Sequence, residues 1–406
     1  MTTHTRQGFN NVSGANAGPH AAGFLGATLV VATFLVCSNF AGYGIYGVIV
    51  AVPSLVVLAY RNGVRLSLAL VALIMFAGLH ALYFEGEFFN KLILGPLAIL
   101  MFAIGMIYSR SVGSSQLILL AGSFGAAAYA VGNLATNLLA AGPPSSGRYQ
   151  IDFWTSAETS ATVHGGLWIP AIGAVPFLMA RTGKFSLTGK VAGIGIGVLG
   201  VTYSLTSATR TPMLILILVG VICLVRFGNR RTAVPALTAL TAFLGTLFAA
   251  FRAFGIRWSE SALIERITSS DAAELGQDVR FERQAMFIEN IGDYSGGGLF
   301  FRSAYGYVHN IILDEIDSAS ILPASFLAVF IFITVIAALS QSRGPVDPGA
   351  GKVLVFGLAV ALVASFMVEP TLEAAHISFL VFCVLAGALT ATGKGGRFAP
   401  SYGRPR

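Results

Sequence analysis

Long apolar runs recur from one end of this chain to the other, and no other feature of the sequence restricts its fold so strongly. A run of about 18 or more apolar residues reads as a transmembrane helix. Lipid offers the backbone no hydrogen-bond partners, so repeated runs of this length predict an all-α, polytopic transmembrane helix bundle. Composition agrees: 55% of the 406 residues are apolar and 11% are charged, whereas soluble domains carry roughly 25% charged residues. Hydropathy predicts about twelve spans, near residues 22–38, 43–60, 66–84, 91–108, 116–140, 163–180, 188–206, 211–227, 233–253, 319–340, 352–369 and 373–392. Residues 1–21 and 393–406 flank the 22–392 bundle as polar tails, the first expected to be disordered and the second Gly-rich and basic. Residues 1–21 lack the compact basic region and cleavage site of a signal peptide. Cys37, Cys223 and Cys383 all lie inside apolar runs, where they are expected to be buried free thiols.

Charge supplies the expected topology. With the N-terminus in the cytoplasm and the spans alternating, 16 of the 25 Lys and Arg residues fall on the cytoplasmic side. Of the 18 acidic residues only Asp347 joins them. This is the positive-inside pattern, so both termini are expected to be cytoplasmic. It also accounts for the net charge of +7 without a nucleic-acid partner. The long connections, 141–162 and 254–318, then lie outside the cytoplasm, the second containing short helices between spans nine and ten. Nucleotide sugars and ATP are not available there, so a synthetic reaction needs a substrate that arrives already activated.

The candidate chemistry gathers on that outer side. Arg210, in Thr209-Arg210-Thr211-Pro212, sits where span seven turns into span eight. An arginine beside hydrocarbon has a role or a partner, or snorkels to the interface. Arg148 stands in the first long loop with Asp152, and His164 follows in a position suited to a hydrogen-bonded structural role. In the second loop, Phe281, Ala285, Ile288 and Ile291 recur at helical spacing, which leaves Arg280, Arg283, Gln284 and Phe287 on another face. That pattern predicts an amphipathic helix at the membrane surface. Gly296-Gly297-Gly298 permits a sharp turn, and His309-Asn310 precedes a short apolar helical start. A His at such a helix entry is either structural or placed for proton transfer, with Asp314 or Glu315 available to orient it. No His/Cys cluster has metal-ligand spacing and no phosphate-binding Gly-rich loop occurs, so no metal or cofactor is expected. No internal repeat is apparent and the spans are nearly free of charge, features that disfavour a transporter or flippase.

Arg280/Arg283, Gly296-Gly-Gly298 and His309-Asn-Ile-Ile-Leu-Asp314 together resemble the core of the bacterial O-antigen polymerase and O-antigen ligase superfamily of membrane glycosyltransferases. Arg210 is similar to that family's Ser-Arg step, with Thr209 in place of the serine, and Arg148 to its earlier Arg-bearing loop. The chain departs from the family at Asp317-Ser318-Ala319-Ser320, where a glycine commonly follows the acidic residues. The resemblance implies metal-independent glycosyl transfer at the periplasmic face of the bacterial inner membrane. The donor it implies is an oligosaccharide on undecaprenyl pyrophosphate. The acceptor is a second lipid-linked glycan in a polymerase, or lipid A–core in a ligase. A chain-length regulator and a flippase are the protein partners that go with such a role. His309 would be the base, Arg210 with Arg280 or Arg283 would hold the pyrophosphate, and Arg148, Asn310, Gly298 and Tyr307 would contact the substrate.

Overall fold

The computed structural model describes residues 19–42, 44–64, 66–85, 91–141, 149–180, 186–207, 209–228, 279–342, 350–372 and 376–392. The expected ninth span, 233–253, lies outside these residues, as do most of both tails, Arg148 and the first part of the second long loop.

The apolar helices run α1 Pro19–Cys37, α2 Ile45–Asn62, α3 Leu68–Tyr83, α4 Leu94–Val112 and α5 Gln116–Ala141. A two-stranded ribbon follows, β1 Tyr149–Ile151 and β2 Glu158–Ser160. The bundle resumes with α6 Ala161–Ala180, α7 Ser186–Thr206 and α8 Thr211–Phe227. Four short helices come next: α9 Val279–Glu289, α10 Ile291–Tyr294, α11 Phe300–Tyr305 and α12 Ile311–Ser318. The last three are α13 Ile321–Ser342, α14 Ala350–Phe366 and α15 His376–Thr392. Among the described residues, six helices are long and apolar enough to cross a membrane: α2, α4, α5, α6, α7 and α13. Shorter apolar helices stand where the remaining described spans were expected. The protein is therefore a helical, membrane-embedded chain. The ribbon is an addition to the all-α expectation, pairing Tyr149 with Ser160 and Ile151 with Glu158.

Membrane helices gain little from burying apolar surface against one another, so close backbone approach through small residues does much of the work. The most extensive pair here is α4 with α15. A Cβ on Gly387 would stand 2.0 Å from the Phe102 carbonyl oxygen, and one on Gly105 would stand 2.2 Å from that of Val384. Gly173 on α6 and Gly357 on α14 make a second such contact, 2.4 Å from a Gly357 Cβ to the Gly173 oxygen. Around these seams Phe76, Phe102, Phe330, Phe366, Phe379 and Phe382 are fully buried. Phe330 meets Phe379 and Phe382 edge-on at 6.3 and 5.7 Å. Cys37, Cys223 and Cys383 are buried free thiols. Gly387→Ala should destabilise the fold by about 1–3 kcal/mol, the cost of overpacking. Gly220→Ala, which meets nothing within 4 Å, should leave the melting temperature in detergent unchanged.

The two ends of the bundle differ. At one end Arg110 donates to the Gly63 carbonyl (2.8 Å) and Arg226 to that of Ser342 (2.8 Å). Arg61, in the last turn of α2, belongs to this end too. The short helices α9–α12 cover the other end, which also collects the last turn of α3, the start of α8 and the residues after α14.

Candidate functional site

Helix α9 has the two faces its sequence predicts. Phe287 is buried, stacked 5.4 Å from Tyr294 and edge-on to Phe301 at 5.1 Å. Phe281 and Ile288 point the opposite way and are 61% and 55% exposed. The polar residues beside Phe287 reach separate places. Arg280 donates through Nη1 to the Val368 carbonyl (3.1 Å) and lies 3.4 Å from Glu369 Oε1. Gln284 donates through Nε2 to the carbonyls of His309 (3.1 Å) and Met367 (3.2 Å). Arg283 packs against Gly306, where a Cβ would come within 3.2 Å of its Nη1. The two arginines of this helix thus serve different loops.

The glycine turn is explained by backbone geometry. Gly297 and Gly298 have φ of +85° and +96°, and a Cβ on Gly297 would lie 2.7 Å from the Ala319 oxygen. This packs the turn onto the junction between α12 and α13, where Ile321 N–H donates to the Ser295 carbonyl (3.0 Å). Gly298, placed among the substrate-binding candidates by resemblance, has this conformational reason of its own. Asp317 accepts from the N–H groups of Phe301 (2.9 Å) and Arg302 (3.1 Å), capping α11. Burial raises the Asp317 carboxyl above the ordinary carboxylate range, against those two donors and the Arg302 charge.

The same economy builds the His309 loop. Asn310 is the N-cap of α12, its Oδ1 accepting from Ile312 N–H (3.0 Å) and Leu313 N–H (3.3 Å). Asp314 answers from the first turn, accepting from Val308 N–H (2.8 Å) and Asn310 N–H (3.1 Å). His309 is gripped between those two amides, with Gln284 on its carbonyl, in the left-handed region at φ +63°. Non-glycine residues are held there only when their surroundings over-determine the conformation. Asp314 therefore acts on the backbone around His309. The Glu315 carboxylate goes elsewhere, to His80 Nδ1 on α3 at 2.8 and 3.0 Å, with both side chains buried. Tyr307 lies 6.3 Å from the His309 ring, and the Arg302 guanidinium covers the tyrosine face at 4.3 Å. Arg302 was not singled out from sequence.

Arg210 is the residue from which α8 departs, half-buried, and among the described residues its buried Nε has no hydrogen-bond partner. Its neighbour Thr211 donates through Oγ1 to Glu369 Oε1, the oxygen that also faces Arg280. Glu369 is 1% exposed. The turn Met367-Val368-Glu369 after α14 thereby touches α8, α9 and the His309 loop, the last also through Asn310 Nδ2 at 3.7 Å from Met367 Sδ. Sequence reasoning missed this turn, although a glutamate closing an apolar run ahead of Pro370 was a visible signal.

Beside this cluster, the ribbon is pinned by a separate network. His164 meets Thr159 Oγ1 at 2.7 Å and Gln150 Oε1 at 3.2 Å, in line with a structural role. Tyr203 donates to the Ala161 carbonyl (2.6 Å), and its hydroxyl oxygen lies 3.1 Å from Gln150 Oε1. Asp152 accepts from Tyr129, Trp154 and Thr155. Burial pushes its carboxyl upward, and those donors outweigh burial and hold it below the ordinary range. Among the described residues no three His, Cys, Asp or Glu side chains gather as metal ligands. The groups suited to a ligand are guanidinium donors and an imidazole, a combination that fits an anion and a transferable proton. Compared with known proteins, the chain matches no family model and no curated protein.

Proposed function

We propose that this protein is a metal-independent glycosyltransferase that joins oligosaccharide repeat units carried on undecaprenyl pyrophosphate. The observation that carries this reading is the meeting, at one end of an apolar bundle, of α9 with its arginines, the His309 loop and the start of α8 beside Arg210. His309 takes the proton of an acceptor hydroxyl. The hydroxyl oxygen bonds to the anomeric carbon of the donor as that carbon's bond to the pyrophosphate oxygen breaks. Undecaprenyl pyrophosphate leaves with its charge spread over Arg210 and Arg280. Guanidinium groups stay charged and bind phosphate through two parallel donors, which supports this division of roles.

In the same reading the chain crosses the inner membrane about twelve times with both termini cytoplasmic and the site periplasmic. Arg61, Arg110 and Arg226 at the opposite end support that orientation.

The test supplies undecaprenyl-pyrophosphate-linked repeat units from the native host to the protein in nanodiscs, with and without lipid A–core. A ladder of longer lipid-linked glycans is expected. Glycan appearing only on lipid A–core would instead make the protein a ligase. No product from folded protein would return the site to a transport role.

A further inference from the structure

The buried carboxylate of Glu369 touches two of the elements that carry the proposed site, and nothing in the reaction outlined above uses it. It accepts from Thr211, which directly follows Arg210, and the same oxygen lies 3.4 Å from Arg280. Its side chain is 1% exposed while that of Arg280 is 26% exposed, so the carboxylate cannot turn to solvent and the guanidinium can be reached from outside. Acidic groups elsewhere in the cluster are committed: Asp314 and Asp317 to backbone amides, Glu315 to His80.

We propose that Glu369 is a positioning residue that sets Arg280 against the start of α8 and competes with the donor's pyrophosphate for that guanidinium. This rests on the pyrophosphate-linked donor proposed above. A fixed carboxylate next to an anion site has two opposed effects. Its negative charge weakens binding of an incoming anion. Its hold on Arg280 and Thr211 keeps the arginine donors where charge develops on the leaving group, which favours the transition state over the ground state. A residue that merely supports the fold has no such opposition.

The opposition is read by comparing wild type, Glu369→Gln and Glu369→Asp in nanodiscs, with radiolabelled undecaprenyl pyrophosphate as the probe and transfer of lipid-linked repeat units as the activity. Glu369→Gln keeps an acceptor for Thr211 and loses the charge. It should bind the probe about tenfold tighter, the scale of removing one screened like charge, and transfer glycan more slowly at an unchanged melting temperature. Glu369→Asp keeps the charge and shortens its reach, so transfer should slow with no gain in affinity. Equal or weaker binding by the glutamine variant overturns the competition, and a fall in melting temperature with both functions makes Glu369 a fold residue. If folded wild-type protein does not bind the probe, the donor assignment itself fails and this proposal fails with it.

Discussion

His309→Ala should lower glycan transfer by about 10²–10⁴-fold, the range a positioned general base contributes, while membrane insertion and melting temperature stay near wild type. The structure shows why activity and stability should separate here. The hydrogen bonds that set this loop run to backbone: Asp314 to the amides of Val308 and Asn310, Gln284 to the His309 carbonyl. An alanine retains all of them. The left-handed conformation at φ +63° is borne by histidine and alanine alike, since both carry a Cβ, although histidine is the more frequent there. His309→Asn removes even that objection, because Asn tolerates the region, and it should be equally inactive. Product ladders of normal length from either variant, measured on folded protein, would sink the base assignment.

Arg210→Lys should be nearly as damaging, with transfer down about 10²–10³-fold, the loss typical of one donor to a developing charge. Lysine keeps the charge and lacks the planar fork, so a bidentate hold on phosphate is lost. Stability should change little, since the buried Nε has no hydrogen-bond partner among the described residues. Arg280 offers the contrast. Its contacts to Val368 and Glu369 both run through Nη1, and a lysine amine can supply one donor to that turn. Arg280→Lys should therefore retain more activity than Arg210→Lys in the same assay. Equal activity of Arg210→Lys and wild type would reduce Arg210 to an interfacial anchor.

The parts of the molecule that were legible in sequence are those governed by local pattern. Apolar run length placed the described apolar helices, and helical spacing set Phe281 and Ile288 apart from Arg280, Gln284 and Phe287 on α9, without saying which of the two faces is buried. His309-Asn310 was legible as a helix entry because apolar Ile311, Ile312 and Leu313 follow it, whereas the cap by Asn310 and its answer from Asp314 came only with the structure. What escaped depends on distant pairing. Glu369 meets Thr211 across 158 positions and Arg280 across 89, and His80 meets Glu315 across 235. No periodicity encodes such contacts, and each of these residues alone looks like a polar group at the end of an apolar run. The ribbon escaped for a related reason: its strands are three residues long, and the side chains of Asn137 and Asn133 hold Ile151 and Phe153 in place.

The lengths of the helices beneath the site carry a consequence for the surrounding lipid. Helices α3 and α8 have 16 and 17 residues, against 26 in α5 and 22 in α13. Seventeen residues rise ~25 Å, less than the roughly 30 Å of hydrocarbon in an ordinary bilayer. His80 and Thr211 sit at the ends of these short helices that face the site. In a bilayer the site would therefore lie over a patch where two helices are shorter than the hydrocarbon core, a mismatch that local thinning of the membrane relieves. A lipid carrier drifting into that patch would have its headgroup lowered toward the arginines by the shape of the membrane itself, before any side chain touched it.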